Sequence, residues 1–147
     1  KIRMRYKRRK SMSYDIMVFE DSRAPRTKEE FLAWYDKQTE WGEGHSYLDI
    51  SMASPALQAF FKDLLKEYVA LEDIDDNEEM EEDEEDAKYI RTYSIGRDMI
   101  YLGFSYGNAV EISEDIEDLA SKHGAGVFLC SGSGEVIFAN GEIMDTE

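Results

Sequence analysis

The sequence has very little cysteine and proline and contains no long run of apolar residues. Its single cysteine, Cys130, has no second cysteine in the chain with which to form a disulfide. A fold held by internal disulfides is therefore excluded, and a reducing compartment, the cytoplasm, is expected. No apolar run approaches the roughly 18–20 residues that a membrane-spanning helix needs, so we expect no membrane association.

Residues that usually form metal or catalytic sites are also scarce. The chain has two histidines, His45 and His123, and together with Cys130 they lack the spacing of a zinc site. Cys130 lies in the apolar run Val127–Cys130, which is typical of a buried structural thiol. We therefore predict no metal site and no cofactor, and we favour a binding function over catalysis.

Acidic residues dominate the chain after a basic start. The formal net charge is −16, although residues 1–10 hold seven of the 17 basic residues. From Ser11 onward, ten basic residues stand against all 33 acidic ones. A body this acidic repels nucleic acid and anionic lipid and attracts cationic proteins. We expect a basic protein as partner, and no binding of nucleic acid or membranes by the main body.

The basic start, residues 1–11, has three interpretations. It forms an arm that binds nucleic acid, a strap over the acidic body, or an extension that is disordered or not native. The third is favoured because Met12 resembles a natural start and a predicted strand follows directly. Residues 12–147 then form a single domain, which suits the usual domain size of about 100–150 residues.

Twelve carboxylates with no cation between them occupy Glu72–Asp86. Such a run cannot bury enough apolar surface to fold, so we predict an acidic flexible insertion at 72–87. Its spacing resembles a calcium-binding EF-hand loop that starts at Asp73, but Glu78 stands where that loop requires glycine. We predict instead that the run contacts the basic partner, through Asp73, Asp75, Asp76, Glu78, Glu79, Glu81, Glu82 and Asp83.

Hydrophobic periodicity and capping residues predict a mixture of strands and helices. Strands are predicted at 14–19, 90–95, 99–105, 126–130 and 136–138, and helices from Thr27 to near Trp41, from Ser54 to Val69 and from Asn108 to Gly124. This order predicts an α+β fold, with an antiparallel sheet of about five strands and three helices on one face. The expected arrangement is split βαβ, or ferredoxin-like, with an added helix.

The segment Trp41–Tyr47 is an alternative candidate site. Glycines and aromatic residues surround His45 there, so Trp41, His45 and Tyr47 form a candidate ligand site for a small molecule or an enzymatic reaction. His123 directly precedes Gly124 at a predicted helix end, where a cation interacts favourably with the helix dipole. We assign His123 a capping role.

Six stretches of the chain together resemble one family of small acidic bacterial proteins whose biochemistry is unassigned. They are Met12–Glu20, Glu30–Tyr35, Thr39–Trp41, Ser54–Gln58, Tyr93–Asp98 and Lys122–Phe128. The resemblance covers nearly everything from Met12 to Phe138 except the acidic run. Members look like the small acidic proteins that accompany bacterial toxins as immunity partners, and the family supplies no catalytic residues to assign.

The leading hypothesis is therefore a non-enzymatic acidic protein-binding module. The resemblance implies, by analogy, an immunity protein that neutralises a basic toxin domain. The alternative is a small-molecule-binding or enzymatic domain that uses the Trp41–Tyr47 loop. A third hypothesis gives residues 72–86 a metal-binding or nucleic-acid-mimicking role.

Overall fold

The computed structural model describes residues 13–70, 89–105 and 109–146. Within these ranges the α-helices are α1 (Lys28–Gln38), α2 (Pro55–Glu67) and α3 (Ala109–Lys122). The strands are β1 (Ser13–Phe19), β2 (Val69–Ala70), β3 (Tyr89–Ile90), β4 (Thr92–Ile95), β5 (Met99–Ser105), β6 (Gly126–Phe128), β7 (Glu135–Ile137) and β8 (Ile143–Asp145). Two short 3-10 helices, Asp21–Arg23 and Ile50–Met52, lie in the connections.

Six of the described strands form one sheet in the order β4-β5-β1-β6-β7-β8, and every neighbouring pair is antiparallel. The predicted α+β class, with an antiparallel sheet and three helices, is confirmed for the described residues. The sixth strand, β8, was not expected, because its three residues are too few to show an alternating pattern. β2 and β3 form a separate parallel pair.

Two chain connections each pass over one strand of the sheet. β1 leads to β4 on the far side of β5, and β5 leads to β6 on the far side of β1. Skipping of this kind belongs to a split βαβ arrangement. The expected ferredoxin-like arrangement is not confirmed in detail, because β7 and β8 extend the sheet and helices lie on both of its faces.

The expectation that all helices cover one face is wrong. Side chains of β1 point alternately to the two faces, as in any strand. Ile16 and Val18 belong to a core that α2 and α3 share, whereas Met17 and Phe19 belong to a second core beneath α1. The β1 sequence is apolar at nearly every position because both faces are covered, which is how a continuously apolar strand should be interpreted.

Capping residues define the start of each of the first two helices. The Thr27 hydroxyl accepts a hydrogen bond from the Glu30 amide at 3.4 Å, and the Ser54 hydroxyl accepts one from the Leu57 amide at 3.3 Å. Both N-caps were predicted from the sequence and are confirmed. Pro55 occupies the first turn of α2, where its missing N–H is not needed.

The predicted end of α1 near Trp41 is wrong, because the helix ends at Gln38. The Thr39 hydroxyl donates to the Tyr35 carbonyl at 3.0 Å and closes the last turn. Trp41 follows with a backbone φ of 57°, in the left-handed region that side chains other than glycine rarely adopt. Trp34 packs against Phe19, whereas Trp41 lies outside the helix and is 41% exposed.

α2 and α3 bury the apolar stripes that their sequences predict. Leu57, Phe60, Phe61 and Leu64 of α2 pack with Ile112, Ile116 and Ala120 of α3. Leu65 lies in α2 but outside its buried stripe and is exposed. Val69, which was predicted to end the helix, is also exposed and lies beyond it, since Tyr68 already has an extended backbone. The described helices are all too short or too polar to cross a membrane.

Candidate functional site

The Trp41–Tyr47 loop brings its three predicted site residues into contact. The Trp41 and Tyr47 rings meet edge to face with centroids 5.3 Å apart, and the His45 ring lies 4.3 Å from that of Tyr47. Tyr47, like Trp41, has a left-handed backbone, with φ of 65°. Two such residues in one short loop indicate a conformation that the surrounding contacts impose.

Hydrogen bonds within the loop use both ring nitrogens of His45. The Tyr47 amide donates to Nδ1 at 3.1 Å, so Nδ1 is an acceptor and the proton of the neutral ring lies on Nε2. Nε2 lies 2.7 Å from Oε1 of Glu43, to which it donates. His45 therefore holds the loop in shape through both of its polar atoms.

Glu43 joins this loop to the turn between β4 and β5. Its carboxylate accepts the Arg97 amide at 3.1 Å, and its own amide donates to the Tyr47 hydroxyl at 2.7 Å. The Tyr47 carbonyl in turn accepts the Ile95 amide at 2.8 Å. The loop is thus attached to the β4 edge of the sheet. Whether Trp41, His45 and Tyr47 bind a ligand stays a prediction.

A second group of polar residues, the Asp15 cluster, lies on the sheet face next to α1. It consists of Asp15, Tyr35, Tyr101 and Cys130. The Tyr101 hydroxyl donates to Oδ2 of Asp15 at 2.8 Å, and Tyr35 is hydrogen-bonded to both Tyr101 and Cys130. The Trp41 ring lies 5.9 Å from the Tyr101 ring, so the cluster adjoins the Trp41–Tyr47 loop.

Burial keeps most of the Asp15 cluster neutral. Desolvation, together with nearby acidic groups, holds the pKa values of Tyr35 and Tyr101 well above those of free tyrosine. Burial also raises the pKa of the Cys130 thiol to about 12. A thiol that stays protonated at neutral pH is a poor nucleophile, which supports the structural role predicted for Cys130.

The Asp15 cluster was missed by sequence reasoning, although β1 contains a signal for it. Asp15 is the only charged residue in the otherwise apolar segment Tyr14–Phe19. A carboxylate within a largely buried strand needs a specific partner. The partner, Tyr101, comes from β5, and it could not be identified before the pairing of β1 with β5 was known.

A third feature, the α3 acidic face, consists of Glu111, Glu114, Glu117 and Asp118. These side chains lie on the side of α3 away from the buried stripe. The pKa of Glu117 is raised, first by burial and then by the negative charges of Asp118, Glu114 and Glu135 of β7. Carboxylates at these helical spacings repel one another, so the face is electrostatically destabilising in the free protein.

Val110 adds an apolar side chain to the α3 acidic face. It is 73% exposed and precedes Glu114 and Glu117 by four and seven residues, which places it on the same side of the helix. A single exposed apolar residue is ordinary on a protein surface, so Val110 by itself does not mark an interface. The sequence alone indicated only that acidic residues lie on the outer face of this helix.

His123 does more than cap α3. Its Nε2 lies 2.7 Å from Oδ2 of Asp63 in α2, and Lys66 and Lys122 approach the same carboxylate at 3.1 and 3.2 Å. These partners, His123 first, hold the pKa of Asp63 far below its ordinary value of 3.8. His123 does follow the last residue of α3 directly, as predicted. The principal contact of its ring, however, is with Asp63 of a second helix.

The segment Gly103–Gly107 matches the Gly-x-Ser-x-Gly pattern of hydrolase nucleophiles and joins β5 to α3. That pattern requires a histidine near the serine. Here the Ser105 hydroxyl accepts from the Arg91 guanidinium at 3.2 Å. His45 is instead hydrogen-bonded to Glu43 and Tyr47, and His123 to Asp63. Among the residues that the structure describes, the match therefore lacks the contacts of a catalytic serine.

The partner-binding residues predicted in the acidic run, and the basic residues 1–11, lie outside the described residues. Their roles stay predictions. Across the described ranges, no group of three or more histidine, cysteine or acidic side chains is arranged to hold a metal ion.

Comparison with family models, curated proteins and solved structures finds no match to this chain. Functional inference therefore depends on its own residues.

Proposed function

We propose that this protein is a non-enzymatic binding module that uses its acidic surface against a basic protein. The observation that carries the proposal is the α3 acidic face, which gathers Glu111, Glu114, Glu117 and Asp118 on one side of a helix. Burial raises the pKa of Glu117, and the charges of Asp118, Glu114 and Glu135 raise it further. A folded protein retains such repulsion at a cost in stability. A cationic partner would relieve it and would gain binding energy by doing so.

The overall charge of the protein also favours a basic partner. The described residues include nine basic and twenty acidic side chains. A surface potential of this sign accelerates encounter with a positively charged protein and makes the rate dependent on salt. The acidic run at 72–86 adds to this field. We propose that both surfaces contribute to recognition.

A non-enzymatic role is supported by the way the candidate catalytic side chains are used. Both ring nitrogens of His45 hold the Trp41–Tyr47 loop, and His123 connects two helices. The Cys130 thiol is kept protonated. General acid–base and nucleophilic catalysis both need such groups close to a substrate and free to exchange protons.

The resemblance to immunity partners of bacterial toxins suggests what the basic protein is. A toxin that acts on nucleic acid needs a positively charged surface, and an acidic protein is complementary to such a surface. We propose that the partner is a basic toxin domain and that binding neutralises it in the bacterial cytoplasm. The alternative, a ligand site at Trp41, His45 and Tyr47, predicts binding that does not depend on the acidic surfaces.

Affinity capture tests this proposal. The full chain is immobilised and exposed to lysate of its source organism at about 0.1 M and about 1 M salt, where charges are screened beyond roughly 10 Å and 3 Å. One basic protein should be retained at low salt and released at high salt. Absence of any basic protein at low salt would contradict the proposal.

Two further baits identify the surface involved. In the first, Glu111, Glu114, Glu117 and Asp118 are replaced by their amides. In the matched control, the exposed carboxylates Glu29, Asp36, Glu40 and Glu142 are replaced in the same way. The net charge is then equal in both baits, so capture should fall for the first bait and persist for the control. Equal capture by both would remove the α3 acidic face from the proposal.

A further inference from the structure

The hydrogen bonds of the Trp41–Tyr47 loop depend on which protons the His45 ring carries. Nδ1 accepts a hydrogen bond from the Tyr47 amide at 3.1 Å, while Nε2 donates to Oε1 of Glu43 at 2.7 Å. A neutral imidazole accepts at one nitrogen and donates at the other, whereas a protonated imidazole donates at both. The arrangement in the structure is therefore available only to the neutral ring.

Protonation of His45 breaks the bond from the Tyr47 amide, because Nδ1 then carries a hydrogen of its own and faces a second donor. Tyr47 is buried, and a buried amide that loses its acceptor destabilises the conformation that places it there. The bond between Nε2 and Glu43 survives, since a charged donor binds a carboxylate more strongly than a neutral one does. The protonated ring thus keeps Glu43 and releases Tyr47.

Acidic groups near His45 attract a proton to its ring. Glu43 contacts the ring directly, and Asp49 is close enough to interact with it electrostatically. From the turn between β4 and β5, Arg97 donates its backbone amide to the Glu43 carboxylate, and its side chain is exposed. The Tyr47 ring also lies against His45, but free phenols ionise only near pH 10. The two carboxylates therefore favour the charged ring, and the Tyr47 amide opposes it.

The Tyr47 amide bond supports a backbone that is unfavourable without it. Tyr47 has a φ of 65° and Trp41 a φ of 57°, and such conformations persist only where surrounding contacts impose them. The Trp41 ring packs edge to face against the Tyr47 ring, with centroids 5.3 Å apart. The Tyr47 carbonyl accepts the Ile95 amide of β4 at 2.8 Å. Movement of Tyr47 therefore affects both Trp41 and the β4 edge of the sheet.

We infer that His45 is a pH-sensitive switch that controls the conformation of the Trp41–Tyr47 loop. With the ring neutral, the loop has the conformation of the structure, and the Ile95 amide is bonded to Tyr47. With the ring protonated, Tyr47 is released, Trp41 leaves its position and the Ile95 amide becomes accessible to solvent. Histidine is the side chain whose charge ordinarily changes between pH 5 and pH 8, so the switch operates within that range. The switch needs no partner and is therefore tested separately from the proposed function.

NMR spectra of the full chain, recorded from pH 8 to pH 5, test the switch. The ring nitrogen shifts of His45 report its protonation, and the indole N–H of Trp41 reports the loop, so both should change with the same midpoint. The hydrogen-exchange protection factor of the Ile95 amide should fall roughly fivefold or more, as expected for loss of one ordinary hydrogen bond. Trp34, which packs against Phe19 beneath α1, is the internal control, and its indole N–H should not follow this midpoint.

His45→Asn separates the hydrogen bond from the proton. An asparagine side chain accepts from the backbone amide two residues later, so it can replace Nδ1 as the acceptor for Tyr47, but it does not titrate. The Trp41 resonance of this variant should stay at its pH 8 position throughout. His45→Gln is a second non-titrating variant if His45→Asn does not fold. His123→Gln, the matched control, removes the other histidine of the chain and should leave the response of Trp41 unchanged.

Three results would overturn the inference. The first is a Trp41 resonance and an Ile95 protection factor that stay constant from pH 8 to pH 5. The second is a change of Trp41 that follows the midpoint of His123 and not that of His45. The third is a pH response of Trp41 that persists in His45→Asn, since another group would then be its origin. Failure of the proposed function appears instead as the absence of a captured basic protein.

Discussion

His123 Nε2 lies 2.7 Å from Oδ2 of Asp63 and so joins the end of α3 to the middle of α2. A second bond between the two helices runs from the hydroxyl of Tyr68, which follows α2, to Oδ2 of Asp115 in the middle of α3 at 3.0 Å. Both bonds lie at the edge of the core that α2 and α3 share. They fix the position of α3, and therefore the direction in which its acidic face points.

We predict that Asp63→Asn lowers the melting temperature at neutral pH by a few degrees. The pKa of Asp63 is depressed in the folded protein by His123, Lys66 and Lys122. Its stabilising contribution is therefore present above the unfolded value of 3.8 and is lost as pH falls from there toward the folded pKa. The difference in melting temperature between wild type and variant should narrow as pH falls from 7 to 2. A constant difference across this range would contradict the assignment.

Glu117→Gln should raise stability at pH 7. The folded pKa of Glu117 lies above its ordinary 4.5, because burial and the charges of Asp118, Glu114 and Glu135 oppose ionisation. The associated stability is present below pH 4.5 and is lost as pH rises through the folded pKa, so the substitution should have little effect under acidic conditions. Chemical denaturation at pH 7 and pH 4 measures the difference. Glu40→Gln, at an exposed site away from α3, is the control, and an equal gain there would indicate a general charge effect.

Cys130 should react slowly with iodoacetamide in the folded protein. Burial raises its pKa to about 12 from 9.0, so almost no thiolate is present at pH 8. Mass spectrometry should show the thiol alkylated many times faster in denaturant than under native conditions. Rapid alkylation of the native protein would show that the thiol is accessible and ionised, contrary to the structure.

Glu43→Ala should destabilise the protein by about 1–3 kcal/mol, the usual cost of removing the partner of half-buried donors. The substitution removes the acceptor for His45 Nε2 and for the Arg97 amide. It should also release Trp41 from its fixed position, so its indole resonance should broaden or move. Glu40→Ala changes an exposed carboxylate three residues earlier and should have little effect on either measurement. An unchanged Trp41 resonance in Glu43→Ala would show that the loop does not depend on this carboxylate.

The sequence predicted the parts of the fold that depend on local chemistry. Thr27 and Ser54 identify helix starts because an N-cap is recognisable from the residue and its near neighbours. β8 and the distribution of helices over both faces depend on pairing between distant segments, which periodicity does not reveal. The end of α1 was missed because Trp41 continues the apolar spacing of the helix but has a left-handed backbone.

In the candidate site, too, the residues close in sequence could be predicted and those brought together by the fold could not. Trp41, His45 and Tyr47 lie within seven residues of one another. The composition of that short segment was therefore enough to identify the loop. Only the assembled sheet brings together Asp15 of β1, Tyr35 of α1, Tyr101 of β5 and Cys130, which lies two residues after β6. The contribution of Glu135 to the raised pKa of Glu117 could not be predicted either, since Glu135 reaches α3 from β7.

The most direct test of the central claim is the association rate of the captured basic protein as a function of salt. Stopped-flow or surface-based measurements compare the full chain with the variant whose α3 acidic face is neutralised. Electrostatic recognition predicts a rate that falls steeply with ionic strength, with a smaller slope and a slower low-salt rate for the variant. An association rate that is insensitive to salt, and equal for both proteins, would contradict the account.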